Sequence, residues 1–334
     1  ELSTKIRFHF KKNHGIIHSM DYIVFDLEWN QCPEGKDREV PLLPFEIIEI
    51  GAIKLNSERK ITDKFHCMVK PVVYPKLHFR TKEIVKKTEE ELAHGAVFSD
   101  AVKKFLKWAG SAAVFCTWGA SDLTELQRNM KYYGVLNLLK GPLHFYDVQK
   151  LFAVNYETTK TRRSLEYGID YLQLDKEKDF HQALSDAYYT AEIFQMINWD
   201  VVYAYDSIDA YQNPKTKIEE IHAIYNGYSK FISREFSNKE EALADKEVTV
   251  VQCCRCEKLA RKKIRWFSVN AKNYYCVAFC PEHGYVKGKI RMKKTDEGRF
   301  FVVKTIKVSS EIEAEEVKKR KEAVVIRRRA KKNG

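Results

Sequence analysis

Apolar and polar positions over the first 200 residues follow patterns that predict strands and helices in turn. Short apolar runs indicate strands, whereas apolar positions three or four residues apart indicate helices. The predicted strands are Tyr22–Asp26, Ile47–Leu55, Lys64–Val69, Val114–Thr117 and residues 144–145. The predicted helices are Phe98–Ala109, Leu123–Tyr133, Val148–Val154, Ser164–Gly168 and Ala183–Trp199. Three early strands without intervening helices predict an antiparallel meander, and later strands that follow helices predict parallel pairing.

The pattern changes beyond residue 200. Helical spacing predicts a helical connector over residues 201–245, with a polar linker at its end. Residues 262–269 and 273–278 then predict two strands, and residues 285–292 and 299–308 predict a hairpin that turns at residues 296–298. The last segment, residues 311–334, is predicted to be a charged tail that is either a helix with a frayed end or disordered.

Four carboxylates and one histidine lie within or beside the predicted elements of the first half. Asp26 and Glu28 are two residues apart on the first strand, so both side chains belong to one face of the sheet. Asp122 and Asp186 lie in predicted helices and can each project one carboxylate toward the end of that strand. Two divalent cations about 4 Å apart neutralise charge in phosphodiester hydrolysis, and carboxylates are the ligands that hard cations prefer. His181, five residues before Asp186, is a candidate general base.

The order Asp-x-Glu, then Asp, then His-x-x-x-x-Asp resembles the DEDDh family of 3′→5′ exonucleases. The stretch Phe45–Ala52 is similar to the second strand of these enzymes, and the resemblance covers roughly residues 21–199. It looks closest to the branch that trims RNA 3′ ends in eukaryotic small-RNA and histone-mRNA processing, and to bacterial relatives that begin much like Met20–Asn30. The resemblance implies a ribonuclease H-like mixed sheet flanked by helices. One departure is that residues 79–84 lack the glycine of the family's Thr-Gly-Ile turn.

The resemblance also implies a reaction and its cofactors. Asp26, Glu28, Asp122 and Asp186 are expected to hold two Mg²⁺ or Mn²⁺ ions, with Asp26 as the best candidate to bridge both. His181 is expected to deprotonate the water that attacks phosphorus, and the products would be nucleoside 5′-monophosphates. The expected substrate is the 3′ end of single-stranded nucleic acid, with RNA favoured. Two alternatives stay open, namely a DNA-directed proofreading or repair exonuclease and a non-catalytic adaptor that binds nucleic-acid ends.

Other residues beside these positions have two possible roles each. Leu27 and Trp29 flank Glu28 and are candidates for binding the substrate, although a tryptophan packed in the core is equally favoured for Trp29. Asp147 begins a predicted helix, where an N-cap is favoured over a spare carboxylate of the site. A surface histidine that caps a helix is the alternative for His181, and its spacing from Asp186 favours catalysis.

Charge is distributed unevenly between the two halves of the chain. The whole chain carries a formal net charge of +12, and residues 246–334 contain 25 Lys/Arg against 10 Asp/Glu, so the remainder carries −3. This distribution indicates that nucleic-acid affinity is concentrated in the second half, with a merely solvated basic surface as the alternative. The basic tail is expected to bind nucleic acid without sequence preference. Phosphate contact and a solvated strand face are weighed equally for Lys287, Lys289, Arg291, Lys293 and Lys294.

The cysteines predict a metal site rather than a disulfide framework. Five of the eight lie between residues 253 and 280, and the other three are isolated. The pairs Cys253-x-x-Cys256 and Cys280-x-x-His283 predict one closed, structural zinc site in a zinc ribbon. Two alternatives stay open: Cys254 competing with a ligand, and Cys276 replacing His283.

These patterns together predict an α/β chain with five segments. They are an N-terminal extension (1–19), the exonuclease domain (20–200), the helical connector (201–245), a basic zinc-ribbon-like β domain (246–310) and the basic tail (311–334). No apolar run is long enough for a transmembrane helix and no signal-peptide core is present, which favours the cytoplasm. Besides nucleic acid, the zinc ribbon and tail suggest a ribonucleoprotein partner.

Overall fold

The structure is a computed structural model that describes residues 6–7, 20–157, 161–176, 181–225 and 227–333. The chain divides into two compact units. The first ends at Gln212, and the main part of the second begins at Asn213. The short strand Ile6–Arg7 belongs to the second unit. The predicted segment boundaries at residues 200, 245 and 310 remain sequence-based, and the division into units falls elsewhere. The rest of the predicted extension, residues 1–5 and 8–19, lies outside the described residues.

The elements are numbered in chain order. The strands are β1 Ile6–Arg7, β2 Tyr22–Gln31, β3 Phe45–Leu55, β4 Ile61–Met68, β5 Val114–Thr117, β6 Leu143–Asp147, β7 Ser207–Asp209, β8 Ile221–Tyr225, β9 Tyr228–Ile232, β10 Arg261–Ser268, β11 Asn273–Cys280, β12 Gly284–Lys294 and β13 Phe300–Val308. The α-helices are α1 Phe79–Ile84, α2 Glu89–Ala93, α3 Phe98–Ala109, α4 Ser121–Tyr132, α5 Val148–Tyr156, α6 Leu165–Tyr171, α7 Ala183–Met196, α8 Trp199–Ala204, α9 Lys239–Ala244, α10 Lys246–Thr249 and α11 Glu311–Asn333.

The first unit is built on a mixed sheet with the strand order β4-β3-β2-β5-β6-β7. Strands β2, β3 and β4 form an antiparallel meander, and β5 and β6 continue the sheet in parallel with β2. Strand β7 closes the far edge in antiparallel pairing with β6. The predicted meander and the predicted parallel strands are therefore confirmed, and the fold is the expected ribonuclease H-like mixed α/β sheet flanked by helices.

Alternate residues of β2 enter two different hydrophobic cores. Phe25 packs on one side of the sheet, where its ring lies 5.6 Å from that of Phe105 on α3. Tyr22 packs on the other side, with its ring 5.3 Å from that of Phe194 on α7. Because β2 is central and covered on both faces, its apolar residues form a continuous run rather than an alternating pattern.

The predicted helices of the first unit are confirmed, with α3 at the predicted residues. The structure adds α1 and α2, which span 6 and 5 residues and are too short to give a helical period. Helix α4 is tied to the sheet by Asn129, which accepts from the backbone N–H of Ile47 at 3.1 Å and donates to the carbonyl of Phe45 at 2.9 Å.

The helical connector predicted for residues 201–245 is wrong. This stretch contains β7, which joins the first sheet, and β8 and β9, which form a hairpin in the second unit. Tyr225 and Tyr228 stack across this hairpin with ring centroids 4.4 Å apart. Strand pairing satisfies the backbone here, and helical spacing alone does not distinguish such short segments.

The second unit is a sheet with the strand order β1-β8-β9-β13-β12-β11-β10. The strands and the hairpin predicted beyond residue 260 are confirmed. Ala314 and Val317 of α11 pack on one face with Val277 of β11, and Ala242 and Val248 of α9 and α10 pack with strand residues in a separate core. The tail is a helix from Glu311 to Asn333. No described helix is both long and apolar enough to cross a membrane.

Candidate active site

Three of the four predicted carboxylates come together in the first unit. One carboxylate oxygen from each of Asp26, Glu28 and Asp186 lies within 4.8 Å of the other two. Asp26 and Glu28 belong to one face of β2, and Asp186 lies in the first turn of α7, which packs on that face. Such a group of oxygen ligands is the donor set that Mg²⁺ and Mn²⁺ prefer.

The approach of α7 depends on Gly51 of β3, which is paired with Asp26 in the sheet. A Cβ atom at Gly51 would lie 2.1 Å from the backbone nitrogen of Leu184 and 2.2 Å from the carbonyl carbon of Ala183. The start of α7 therefore rests directly on the backbone of β3. This contact carries Asp186, two residues further along α7, to the strand that holds Asp26 and Glu28.

Asp122 is placed beside the other three by α4 and by the backbone of β2. Its side chain is 5% exposed, and its Oδ1 accepts a hydrogen bond of 3.3 Å from the backbone N–H of Leu27. Leu27 stands between Asp26 and Glu28 in the chain. Asp122 is also the charge that most strongly opposes ionisation of Asp26. Asp26 therefore interacts with Asp122 as well as with Glu28 and Asp186.

Burial and mutual repulsion raise the pKa of all four carboxyl groups. Burial raises the pKa of Asp26 well above its usual range, and Asp122 and Glu28 raise it further. Burial followed by repulsion from Asp186 raises the pKa of Glu28 to about 8. Burial raises the pKa of Asp122 to about 7 and that of Asp186 to about 6. The Oδ1 atom of Asp186 is buried without a hydrogen-bond partner. Divalent cations bound by these oxygens would offset both the cost of burying the charges and their mutual repulsion.

A fifth carboxylate, which the sequence analysis missed, borders this group. Glu49 of β3 lies opposite Glu28 in the strand register and is 1% exposed. Its Oε1 lies 2.7 Å from Nε2 of His66 on β4, whereas its Oε2 is buried without a hydrogen-bond partner. Its charge helps to raise the pKa of Asp26, Glu28 and Asp186. The signal in the sequence was a buried-strand pattern interrupted by two acidic residues, Glu46 and Glu49.

His181 lies outside the carboxylate group in the described structure. Its side chain is exposed, and its backbone has a φ of 61°, in the left-handed region that residues with a Cβ seldom adopt. The backbone of His181 hydrogen-bonds to the carboxylate of Asp186, and the charge of His181 lowers the pKa of that group. The histidine is therefore attached to the site through Asp186 while its ring faces solvent.

The two residues that flank Glu28 differ in their surroundings. Leu27 is 3% exposed and its side chain packs in the core, so a substrate contact remains a prediction for its backbone only. Trp29 is partly buried against the same core, with its ring 5.6 Å from that of Phe45. The register of β2 and β3 shifts between Glu28 and Trp29. Packing thus accounts for Trp29, and stacking on a base stays a prediction.

Asp147 is the N-cap of α5, which is the role favoured by the sequence. Its Oδ1 accepts from the backbone N–H of Lys150 at 2.9 Å, and its Oδ2 lies 2.9 Å from the guanidinium of Arg162. Both oxygens are engaged, so Asp147 is not a spare ligand of the carboxylate group.

The predicted cysteine–histidine ligands come together in the second unit. One ligand atom from each of Cys253, Cys256, Cys280 and His283 lies within 4.8 Å of the others. The Sγ atoms of Cys256 and Cys280 are 3.5 Å apart, and Sγ of Cys253 is 3.6 Å from Nδ1 of His283. Tetrahedral zinc with Zn–S bonds of about 2.3 Å would separate two sulfurs by about 3.8 Å, so this group fits the metal. Desolvation opposes ionisation of Cys280, yet a hydrogen bond with His283 brings its pKa to about 6.

Neither alternative cysteine belongs to this group. Cys276 is fully buried, burial raises its pKa to about 12, and its sulfur would lie 2.5 Å from a Cβ placed on Gly288. Cys254 is 5% exposed, and burial raises its pKa as well. Both thiols behave as small buried groups rather than as metal ligands.

Comparisons with known proteins agree with this geometry. The RNase_T family model, described as "Exonuclease", matches residues 23–194, just over half of the chain. A relative described as "Probable 3'-5' exonuclease KapD", from Bacillus subtilis (strain 168), is 26% identical over 184 residues, which span 54% of this chain and 86% of that protein.

Two solved structures are also similar to this chain. The nuclease domain of 3'hExo, described as a DEDDh family member bound to rAMP, is 18% identical with a TM-score of 0.49, over 57% of this chain and 97% of that one. S. pombe Pop2p, in its Mg²⁺- and Mn²⁺-bound form, is 17% identical with a TM-score of 0.41, over 53% and 82%. From the family match and the ordered set of Asp26, Glu28, Asp122, His181 and Asp186, the chain belongs to the exonuclease family, as a hydrolytic nuclease of the DEDDh 3′→5′ type.

Proposed function

We propose that this protein is a metal-dependent 3′→5′ exonuclease that degrades single-stranded RNA and releases nucleoside 5′-monophosphates. The observation that carries the proposal is the convergence of Asp26, Glu28 and Asp186 on one point, with Asp122 bonded to the same strand. Four carboxylates that are buried or partly buried and have raised pKa values are unfavourable on their own. Their arrangement is explained when cations are their partners.

Asp26, Glu28, Asp122 and Asp186 would hold two Mg²⁺ or Mn²⁺ ions. Asp26 would be the shared ligand, because it lies within reach of Glu28 and Asp186 and also interacts with Asp122. When bound, such ions neutralise charge on the phosphate and on the attacking and leaving oxygens. The same four residues suit hard cations such as Mg²⁺ and Mn²⁺, because every donor is an oxygen. Glu49 and His66 hold the neighbouring strand face in place through their 2.7 Å contact.

His181 acts as the general base in this proposal. Its ring is exposed to solvent, and its backbone is bonded to Asp186, so the ring is available to a water beside the bound 3′ end. The ring accepts a proton from the water as its oxygen attacks phosphorus. The bond from phosphorus to the 3′-oxygen of the preceding nucleotide breaks. That oxygen leaves as an alkoxide, which takes a proton from solvent and becomes the new 3′-hydroxyl of the shortened strand. The released residue keeps its phosphate as a 5′-monophosphate.

The cysteine–histidine group of the second unit would hold one structural zinc ion. Four protein ligands complete a tetrahedral set, which leaves no position for a substrate or water. All eight cysteines are unpaired thiols, as a thiolate zinc site requires. We therefore place the protein in a reducing compartment, for which the cytoplasm is the simplest choice.

RNA is the proposed substrate because, within the DEDDh family, the sequence looks closest to the branch that trims RNA 3′ ends. The test uses matched 5′-labelled 20-nucleotide RNA and DNA with Mg²⁺ or Mn²⁺, on the wild type and on Asp186→Asn. We expect a ladder that shortens from the 3′ end, fastest on RNA and absent in the variant, with 5′-monophosphates as products. Faster degradation of DNA would overturn the RNA assignment and favour a repair enzyme. Release of the 5′ label as a mononucleotide without a ladder, or nucleoside 3′-monophosphate products, would overturn the proposed reaction.

A further inference from the structure

Four basic residues occupy alternate positions of β12 in the second unit: Lys287, Lys289, Arg291 and Lys293. The residues between them are buried in the core, so the four side chains belong to the opposite face of the strand. Lys289 and Arg291 are exposed, and Lys287 and Lys293 are partly exposed. We call this row the β12 ladder. Because a strand is rigid, the ladder presents its charges at fixed positions.

The ladder has the dimensions of a short stretch of nucleic-acid backbone. Alternate residues of a strand are about 6.8 Å apart, so the row from Lys287 to Lys293 spans about 20 Å. A stacked nucleic-acid strand carries one phosphate per about 3.4 Å of its axis. The ladder therefore matches the length of about six nucleotides. A single straight row suits one backbone, as in a single strand, rather than the two backbones of a duplex.

An arginine of α11 extends the ladder beyond its own strand. The guanidinium of Arg320 lies 4.8 Å from the ring centroid of Tyr275, and Nζ of Lys289 lies 5.9 Å from the same centroid. Tyr275 is paired with Lys289 in the β11–β12 register. The cations of Lys289 and Arg320 are thus both held next to one aromatic ring, which fixes their positions without neutralising them.

Acidic residues of α11 lie beside the Lys287 end of the ladder. Glu313 forms an ion pair with Lys307 on β13, and Glu313 and Glu316 both favour the charged form of Lys287. Among the residues that the structure describes, no ion pair with a carboxylate involves Lys289, Arg291 or Arg320. Burial lowers the pKa of Lys287, and repulsion from Lys307 lowers it further. The centre of the ladder is therefore an uncompensated positive surface.

We propose that the β12 ladder, together with Arg320, binds the phosphate backbone of single-stranded nucleic acid without reading its sequence. This inference rests on the proposed function in so far as the bound polymer is the substrate of the exonuclease. Phosphate contacts of this kind release condensed counterions, so they are independent of sequence and weaken as salt rises. Because both units belong to one chain, a polymer bound at the ladder remains at a high effective concentration near the carboxylate site.

The test compares two pairs of substitutions in the full chain. Lys289→Gln/Arg291→Gln removes the centre of the ladder, and Lys217→Gln/Lys246→Gln removes the same charge from exposed lysines elsewhere in the second unit. Binding of a fluorescent single-stranded 20-mer is measured by anisotropy from 50 to 300 mM salt, with Asp186→Asn added to both pairs to prevent turnover. Two lost phosphate contacts predict a salt slope smaller by about 1.4 and a Kd roughly tenfold higher near 0.15 M salt. The control pair is expected to match the parent.

Activity separates this inference from the proposed function. In an otherwise wild-type chain, Lys289→Gln/Arg291→Gln is expected to raise KM on the 20-mer about tenfold and to leave hydrolysis of a dinucleotide unchanged, since a dinucleotide has one internucleotide phosphate and is too short to span the ladder. Arg320→Gln alone should give a smaller change in the same direction, and thermal melts establish that each variant folds. A 20-mer Kd equal to that of the control pair would overturn the ladder. So would a variant that loses binding to duplex or to anionic vesicles while keeping its affinity for the single strand. Failure of the wild type to hydrolyse either substrate would instead overturn the proposed function.

Discussion

Glu28 and Glu49 lie directly opposite each other in the register of β2 and β3. The charge of Glu49 raises the pKa of Glu28, and both charges raise the pKa of Asp26. Replacing Glu49 by glutamine keeps a side chain that can hydrogen-bond to His66 and removes one negative charge. Without added divalent ions, we expect Glu49→Gln to melt at a higher temperature than the wild type at pH 8, and the difference to vanish at pH 4. Differential scanning fluorimetry measures both. Glu58→Gln, at an exposed position, is the control and should leave the melting temperature unchanged.

The stabilisation by Mn²⁺ should grow with pH. The pKa values of Asp186, Asp122 and Glu28 rise on folding to about 6, 7 and 8, from ordinary values of 3.8, 3.8 and 4.5. The folded protein without cations therefore holds more protons than the unfolded chain between about pH 4 and 8. Its stability from these groups falls as pH rises through that window. Cations bind the deprotonated form, so the gain in melting temperature on adding Mn²⁺ should increase from pH 5 to pH 8. A gain that is flat with pH would contradict this account.

Conversion of a metal-binding carboxylate to its amide should separate stability from activity. We expect Asp26→Asn to lower kcat by roughly a thousandfold or more, since the ions supply several kcal/mol of charge stabilisation in the transition state. The same change should raise the melting temperature at pH 8 without added cations. It removes a carboxyl group whose ionisation is opposed by burial and by the neighbouring carboxylates. A drop in both activity and melting temperature would indicate that Asp26 acts mainly in folding.

His181 should matter for rate far more than for folding. Its side chain is exposed, so His181→Ala should change the melting temperature little. Loss of a general base typically lowers kcat by about 10² to 10⁴. KM on the 20-mer should stay within about twofold. His66→Ala is the comparison, because that histidine contacts Glu49 and should alter activity less. Equal loss in the two variants would remove the distinction between a catalytic and a positioning histidine.

Gly51→Ala should damage both the fold and the site. The added methyl would lie 2.1 Å from the backbone nitrogen of Leu184, and neither backbone can yield without shifting α7 and Asp186. Such overpacking costs typically 1–3 kcal/mol, so we expect a loss of about 2–3 kcal/mol by urea denaturation and a clear loss of kcat. Gly110→Ala is the matched control. That position has open space but a φ of 90°, so it should cost about 1 kcal/mol and leave kcat unchanged.

Zinc content should depend on Cys256 and not on Cys254 or Cys276. We expect one zinc per chain in the wild type by metal analysis, retained in Cys254→Ser and Cys276→Ala. Cys256→Ser should lose the metal and melt earlier, because a structural zinc contributes directly to folding. Loss of zinc in Cys276→Ala with retention in Cys256→Ser would assign the ligand set differently.

The sequence was sufficient to predict those parts of the site in which the spacing of the residues determines that they lie close together. Asp26 and Glu28 follow an apolar run, and alternation along a strand already places them together. The spacing of two residues within each of the pairs Cys253/Cys256 and Cys280/His283 likewise predicts that both members of a pair can bind one metal ion. Glu49 could not be found this way, because its partner Glu28 is 21 positions away and only the strand register brings them together. The need for glycine at position 51 could not be predicted either, because it arises from the place where α7 crosses β3.

The largest error concerned residues 201–245, where local spacing favoured helix. In this stretch β7 completes one sheet and β8 and β9 belong to another, so its conformation is decided by distant partners. The basic residues of β12 illustrate a different limit. Their alternation was evident, but only the packing of α11 shows that Arg320 joins them through Tyr275.

The pairing of β1 with β8 gives the chain an unusual order. Ile6 and Arg7 lie in register with Ala223 and Ile224, so the sheet of the second unit contains strands that come before and after the entire first unit. The nuclease unit is thus an insertion between two parts of its companion. A fragment beginning at Asn213 would lack a strand and expose the edge of β8. To obtain the second unit alone with all its strands, a linker would have to replace residues 12–212 and connect the segment that holds Ile6–Arg7 to Asn213.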